Sequence, residues 1–179
     1  ELYRETSDKY VEPQNPIQFL PWDSEKFVMQ SQKDGYNHLY LMDKSGKQLK
    51  QITSGKWVVM DLVGFNTKKK SILYTSNEIY PTNCNLWTVE VNSGKRNLLG
   101  QGIGVVQSAQ PSATGQQVAL KFSSYNRPRV IDLINANTWK VTNLLEAAAP
   151  WKDYQQPIYT SGYITAADGK TDLYYRMVK

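Results

Sequence analysis

The sequence holds one histidine, His38, the residue type best suited to moving protons near neutral pH. A histidine base needs a nucleophile within hydrogen-bond reach, in the simplest case a serine or cysteine on a tight elbow. No Gly-x-Ser-x-Gly elbow occurs, and His38 lies inside a strand pattern between Asn37 and Leu39, so it reads as structural. The run Gly100-Gln101-Gly102-Ile103-Gly104 has the glycine density of a phosphate cradle. It lacks the Lys-Ser/Thr pair and the helix that should follow, and reads as a connecting loop. Trp57 and Trp87 could stack on a ligand, but aromatic residues at strand positions read as packing. Glu12 and Glu78 could face a cationic substrate; they read as surface or hairpin carboxylates. Lys68-Lys69-Lys70 could hold a small anion, yet it stands between two apolar strand patterns, where a solvated turn is the simpler reading. The single cysteine, Cys84, excludes an intrachain disulfide framework and a cysteine-rich metal site. No catalytic residue, metal or cofactor is expected within these residues.

The bulk properties narrow the field further. A hydrophobic share of 40% and a charged share of 21% are ordinary for a globular protein of 179 residues. The net charge of +5 comes from scattered basic residues. Aromatic side chains do not interleave with basic clusters, which argues against nucleic acid as a partner. No apolar run approaches the roughly 20 residues of a membrane helix.

The elements that must position these residues are strands. Short runs rich in β-branched and aromatic residues alternate with polar turns: Lys26–Gln30, Ser71–Thr75 and Gln117–Lys121. The one helical turn expected is Asn143–Ala149, ended by Pro150. The strands recur in phase, because the step from Phe19 to Phe65 and on to Pro111 is 46 residues each time. The step from Ile52 to Leu98 and on to Leu144 is the same. Turns such as Asp43-Lys44-Ser45-Gly46 and Asn92-Ser93-Gly94-Lys95 carry residues that tolerate positive φ. A period in the forties with four strands per unit is the pattern of propeller blades. The fold expected is therefore all-β, a partial β-propeller of three four-stranded antiparallel blades over 1–160, at about 13–55, 56–103 and 104–160. Known rings use about four to eight blades, so three imply a larger ring and a sequence that is part of a longer chain.

From Tyr10 onward the sequence resembles the propeller of dipeptidyl peptidase IV-type serine exopeptidases of the prolyl oligopeptidase group, most closely the bacterial ones. The residues that carry the resemblance are Tyr10-Val11-Glu12-Pro13, Asp34-Gly35-Tyr36-Asn37-His38-Leu39-Tyr40-Leu41, Gln51-Ile52-Thr53-Ser54-Gly55-Lys56-Trp57-Val58-Val59 and Leu73–Glu78. The tail Ala166–Arg176 looks like that family's passage into its α/β-hydrolase domain. The resemblance implies that these are the last three of eight blades, with 161–179 leading toward a hydrolase domain.

It further implies a parent that removes N-terminal Xaa-Pro or Xaa-Ala dipeptides by acyl transfer through a Ser-Asp-His triad. The triad would lie beyond Lys179, and the paired glutamates that hold the substrate amine would lie before Glu1, so the piece itself should be inactive. The propeller would gate access to the serine and pack on its own hydrolase domain. The partners implied are a peptide substrate, that domain and a second copy of the parent; the location implied is periplasmic, secreted or on a bacterial outer surface. In the family, an aromatic and an arginine just before this first blade line the substrate cavity. Tyr10 matches the aromatic, while no arginine stands beside it and Arg4 is the nearest. A reading from another class remains open: a non-enzymatic propeller that binds protein or glycan, since the fold hosts both.

Overall fold

The computed structural model describes residues 3–179 and is built almost wholly of antiparallel strands. The first blade comprises β1 (Gln18–Leu20), β2 (Asp23–Ser31), β3 (His38–Asp43) and β4 (Gln48–Gln51), hydrogen-bonded in chain order. The second comprises β5 (Val59–Asn66), β6 (Ser71–Ser76), β7 (Asn85–Glu90) and β8 (Arg96–Leu99). The third comprises β9 (Val105–Pro111), β10 (Gln117–Ser123), β11 (Val130–Asn135) and β12 (Val141–Glu146). A separate hairpin, β13 (Tyr159–Thr165) with β14 (Asp172–Val178), follows a 3-10 turn at Pro150–Asp153. The protein is thus a partial β-propeller.

The blades stack through apolar faces set by strand alternation. Val28, Leu39 and Leu41 of the first blade meet Ile72, Tyr74 and Val89 of the second. Leu73 and Leu86, on the opposite face of that second sheet, meet Val118, Leu120, Phe122 and Ile134 of the third. The middle blade is buried on both sides, each fully buried leucine contributing about 2 kcal/mol. The Phe19, Phe65 and Pro111 positions face Phe27, Ile72 and Val118 across the first strand pair of their sheets. That is why they keep step.

Backbone bonds repeat the same latch between neighbours. Val59 N–H donates to Asn37 O at 2.8 Å, and Val106 N–H donates to Cys84 O at 2.8 Å. Gly104 sits where the second crossing approaches the third blade so closely that a Cβ would lie 2.3 Å from the Phe122 ring. Gly94 closes the β7–β8 turn at φ 74°, as its sequence predicts. In the third blade Trp139 takes the equivalent role at φ 64°, its N–H donating to Asn135 O at 2.8 Å.

One expectation is overturned. Asn143–Ala149 is not a helical turn: Val141–Glu146 is strand β12, paired with β11 from Val130↔Glu146 to Ile134↔Val141. Pro150 opens the 3-10 turn, instead of ending a helix. The Leu-Leu-Glu-Ala-Ala-Ala propensity yields to the row of hydrogen bonds that β11 offers.

Candidate functional site

Strand alternation brings the β2–β3, β6–β7 and β10–β11 loops and both blade crossings to one end of the stack. At that end a cavity of about 480 Å³ opens between residues 5–15 and the end of the first blade. Tyr10, Lys9 and Glu12 line one side; Gln30, Lys33 and Asn37 line the other. Tyr10 is 72% exposed, so its ring has room to meet a ligand.

The N-terminal segment is held there by Glu5. Its Oε1 accepts from Gln32 N–H at 3.1 Å, and its Oε2 accepts from Gln14 Nε2 at 2.9 Å. Tyr3 Oη lies 3.2 Å from Ser31 Oγ, and the Lys33 ammonium sits over the Tyr40 ring, 4.1 Å from its centroid. Burial pushes the Tyr3 phenol up, with the Ser31 hydrogen bond opposing. Glu5 is the residue sequence reasoning missed. It lies outside any strand pattern, and its partners are remote in the chain.

Of the remaining candidates, His38, Trp57, Glu78, Trp87 and Cys84 lie in packed positions, while Lys68–Lys70 are exposed. His38 is fully buried, Nδ1 at 3.1 Å from Thr53 Oγ1 and Nε2 at 3.0 Å from Gly55 O. A carbonyl can only accept, so Nε2–H donates to Gly55 O, and the Thr53 hydroxyl meets Nδ1. Thr53 Oγ1 in turn accepts from Leu39 N–H at 2.9 Å. Trp57 packs edge-on against His38 at 4.7 Å, and the Arg96 guanidinium lies 5.3 Å from the Trp57 ring.

Glu78 binds its own blade. Its Oε1 accepts from Tyr74 Oη and Ser76 Oγ, each at 3.0 Å, and its Oε2 from Arg96. Desolvation, and then the Glu78 charge, raise the Tyr74 phenol well above the usual range. Trp87 packs between the first two blades. Lys68–Lys70 form the β5–β6 turn, where Asn66 Oδ1 accepts from Lys68 and Lys69 N–H. Gly100–Gly104 form the crossing into the third blade. Burial raises the Cys84 thiol, which lies between the second and third blades. Among the described residues no group of three or more His, Cys, Asp or Glu side chains could hold a metal ion.

Residues 1–129 match the family model of the dipeptidyl peptidase IV (DPP IV) N-terminal region. The chain belongs to that family. Among solved structures, a provisionally assigned dipeptidyl aminopeptidase IV from Bacteroides ovatus superposes with a TM-score of 0.79 at 39% identity, covering 97% of this chain and 27% of that one. The dipeptidyl peptidase 4 of Porphyromonas gingivalis gives a TM-score of 0.78 at 24% identity, covering 91% of this chain and 23% of that one, a likeness of fold. Among curated relatives, the human prolyl endopeptidase FAP is 35% identical over 65 residues, 35% of this chain and 8% of that protein. The dipeptidyl peptidase 4 of Trichophyton equinum is 28% identical over 105 residues, 58% of this chain and 14% of that protein. The DPP IV-type chain therefore spans about a quarter or less of the length of these relatives.

Proposed function

We propose that this chain is the propeller portion of a serine dipeptidyl peptidase that releases N-terminal Xaa-Pro or Xaa-Ala dipeptides. The propeller gates access, and Tyr10 supplies an apolar wall for the peptide. The observation that carries this reading is the family match over residues 1–129 together with a cavity at the hairpin-bearing end of the blades. Catalysis belongs to a hydrolase domain outside these residues. Here His38 has both ring nitrogens engaged, and Glu78 is committed to Arg96, Tyr74 and Ser76. The parent acts on peptides in the periplasm or outside the cell and forms a homodimer.

The test is turnover of an Xaa-Pro chromogenic substrate by the parent polypeptide and by the 179 residues alone. The parent should release the chromophore and be blocked by a serine-directed inhibitor, while the 179-residue chain should be silent. In the active parent, Tyr10→Ala should raise KM by about tenfold, on the order of one buried aromatic contact. A parent without turnover that captures a protein or glycan would support the scaffold reading instead.

A further inference from the structure

The β13–β14 hairpin has no core of its own. Thirteen of its strand residues are exposed and Gly162 is half-buried. A lone two-stranded hairpin is marginal in water, so something outside it must hold it in place.

The side chains that do so come from two blades. From the β6–β7 loop, Tyr80 Oη donates to Gly162 O at 2.7 Å, and its ring meets Tyr174 edge-on at 5.1 Å. From the β10–β11 loop, the Tyr125 ring stacks on Tyr159 at 5.5 Å and 11°. Arg176 of β14 touches both loops: its guanidinium donates to Thr82 O and lies over the Tyr125 ring, 4.8 Å from the centroid. Desolvation at this joint, followed by the neighbouring phenols Tyr174 and Tyr175, raises the Tyr80 phenol.

A contact to one blade would leave the hairpin free to pivot about it. Contacts to two blades remove that freedom, and they lie at the end of the stack where the Tyr10 cavity opens.

We propose that Tyr80, Tyr125 and Arg176 form a two-blade clamp that fixes β14, and the chain continuing from it, over the cavity end of the propeller. On the functional reading above, on which this part rests, they are positioning residues: they touch no substrate, but hold the hydrolase domain in register with the cavity. A loosened clamp should lower turnover more than substrate binding, because misalignment of reacting groups is felt in the transition state.

Two measurements test this. In the 179-residue chain, hydrogen exchange should show β13–β14 amides opening about tenfold faster in Arg176→Gln, which loses a charged hydrogen bond and a cation–π contact. The amides of Ile72, Tyr74 and Leu120 should keep their protection. Tyr80→Phe removes one hydroxyl and should raise hairpin exchange about fivefold. Unchanged hairpin protection in both variants overturns the clamp. If Arg176→Gln also loosens the blades, Tyr80→Phe decides alone.

In the parent polypeptide, Arg176→Gln should lower kcat about tenfold with KM within about twofold, and Arg176→Lys should restore part of the loss. Wild-type kcat in a variant whose hairpin opens overturns the positioning role. A wild-type parent that releases no dipeptide overturns the functional reading, and the exchange result still judges the clamp.

Discussion

Both ring nitrogens of His38 are engaged, and Thr53 Oγ1 links that ring to Leu39 N–H across 2.9 Å. Truncating the ring would leave the Gly55 carbonyl and the Thr53 hydroxyl without this partner, and a void beneath Trp57. His38→Ala should therefore lower the unfolding free energy by about 3 kcal/mol, combining lost buried hydrogen bonds with cavity formation. Urea denaturation measures it, and a midpoint equal to wild type would show that this network carries no stability. The strand context of His38 and the absence of a serine elbow were enough to read it as structural. Glu78 shows the limit of such reading. A carboxylate following Ser76 and Asn77 looks like a hairpin residue, and only folding brings Arg96 and Tyr74 to it. Glu5 was illegible for the same reason, since its hydrogen bond to Gln32 spans a gap that no local pattern marks.

At the scale of elements, the turns decide how closely the blades meet. Gly115, at φ 65°, lies in the β9–β10 turn against the second blade, and a Cβ there would stand 1.9 Å from Phe65 O. Gly169, at φ 68° in the β13–β14 turn, has nothing within 4 Å of the same position. The two share a left-handed backbone and differ in the neighbour, so the pair separates strain from collision. Gly169→Ala should cost about 1 kcal/mol and Gly115→Ala about 3 kcal/mol or more in urea denaturation. Equal costs would mean that the blades yield at this contact. The hairpin turn also has a pH signature. Asp168 accepts from Lys170 and Thr171 N–H, each at 2.8 Å, and from the Thr171 hydroxyl. The Thr171 side chain first, and then these backbone bonds, hold its carboxyl below the usual carboxylate range. A lowered folded value means that the turn's stabilisation is complete above the unfolded pKa of about 4 and is lost as pH falls through the folded value. Amide shifts of Lys170 and Thr171 should titrate with a midpoint below about 4; a midpoint at or above it contradicts the turn geometry. The blade period was legible because Phe19, Phe65 and Pro111 occupy one repeated strand position. Strand β12 was legible only through the repeat, which ends a fourth strand at Leu144; its own residues Leu144–Ala149 favour helix locally, and pairing with β11 reverses that preference as far as Glu146.

For the whole molecule, three blades leave an unmatched face, and equivalent residues show its consequence. Ile52, whose N–H donates to Leu39 O, is 7% exposed between the first and second blades. Leu99, paired with Leu86, is 1% exposed between the second and third. Leu145, paired with Ile131 as Leu99 is with Leu86, occupies the corresponding place in the third blade and is 59% exposed, so the structural equivalents of Ile52 stand one residue past the Leu98 and Leu144 that the sequence step picks out. The difference lies in the neighbour rather than in the residue, since all three are large aliphatic side chains near the end of the last strand of their sheets or one residue beyond it. Beside Leu145, β11 adds the half-buried Ile131 and Leu133 to the same face, and β12 offers an unpaired strand edge. An apolar face next to an open edge drives association when no further blade covers it. The 179-residue chain should accordingly show concentration-dependent association in sedimentation velocity. Leu145→Lys should shift the distribution toward monomer without lowering the unfolding free energy from urea denaturation by more than about 0.5 kcal/mol, because the site is exposed within one chain. A wild-type chain that stays monomeric at every concentration, or association that ignores the lysine, would mean that this face is closed by something other than a partner surface.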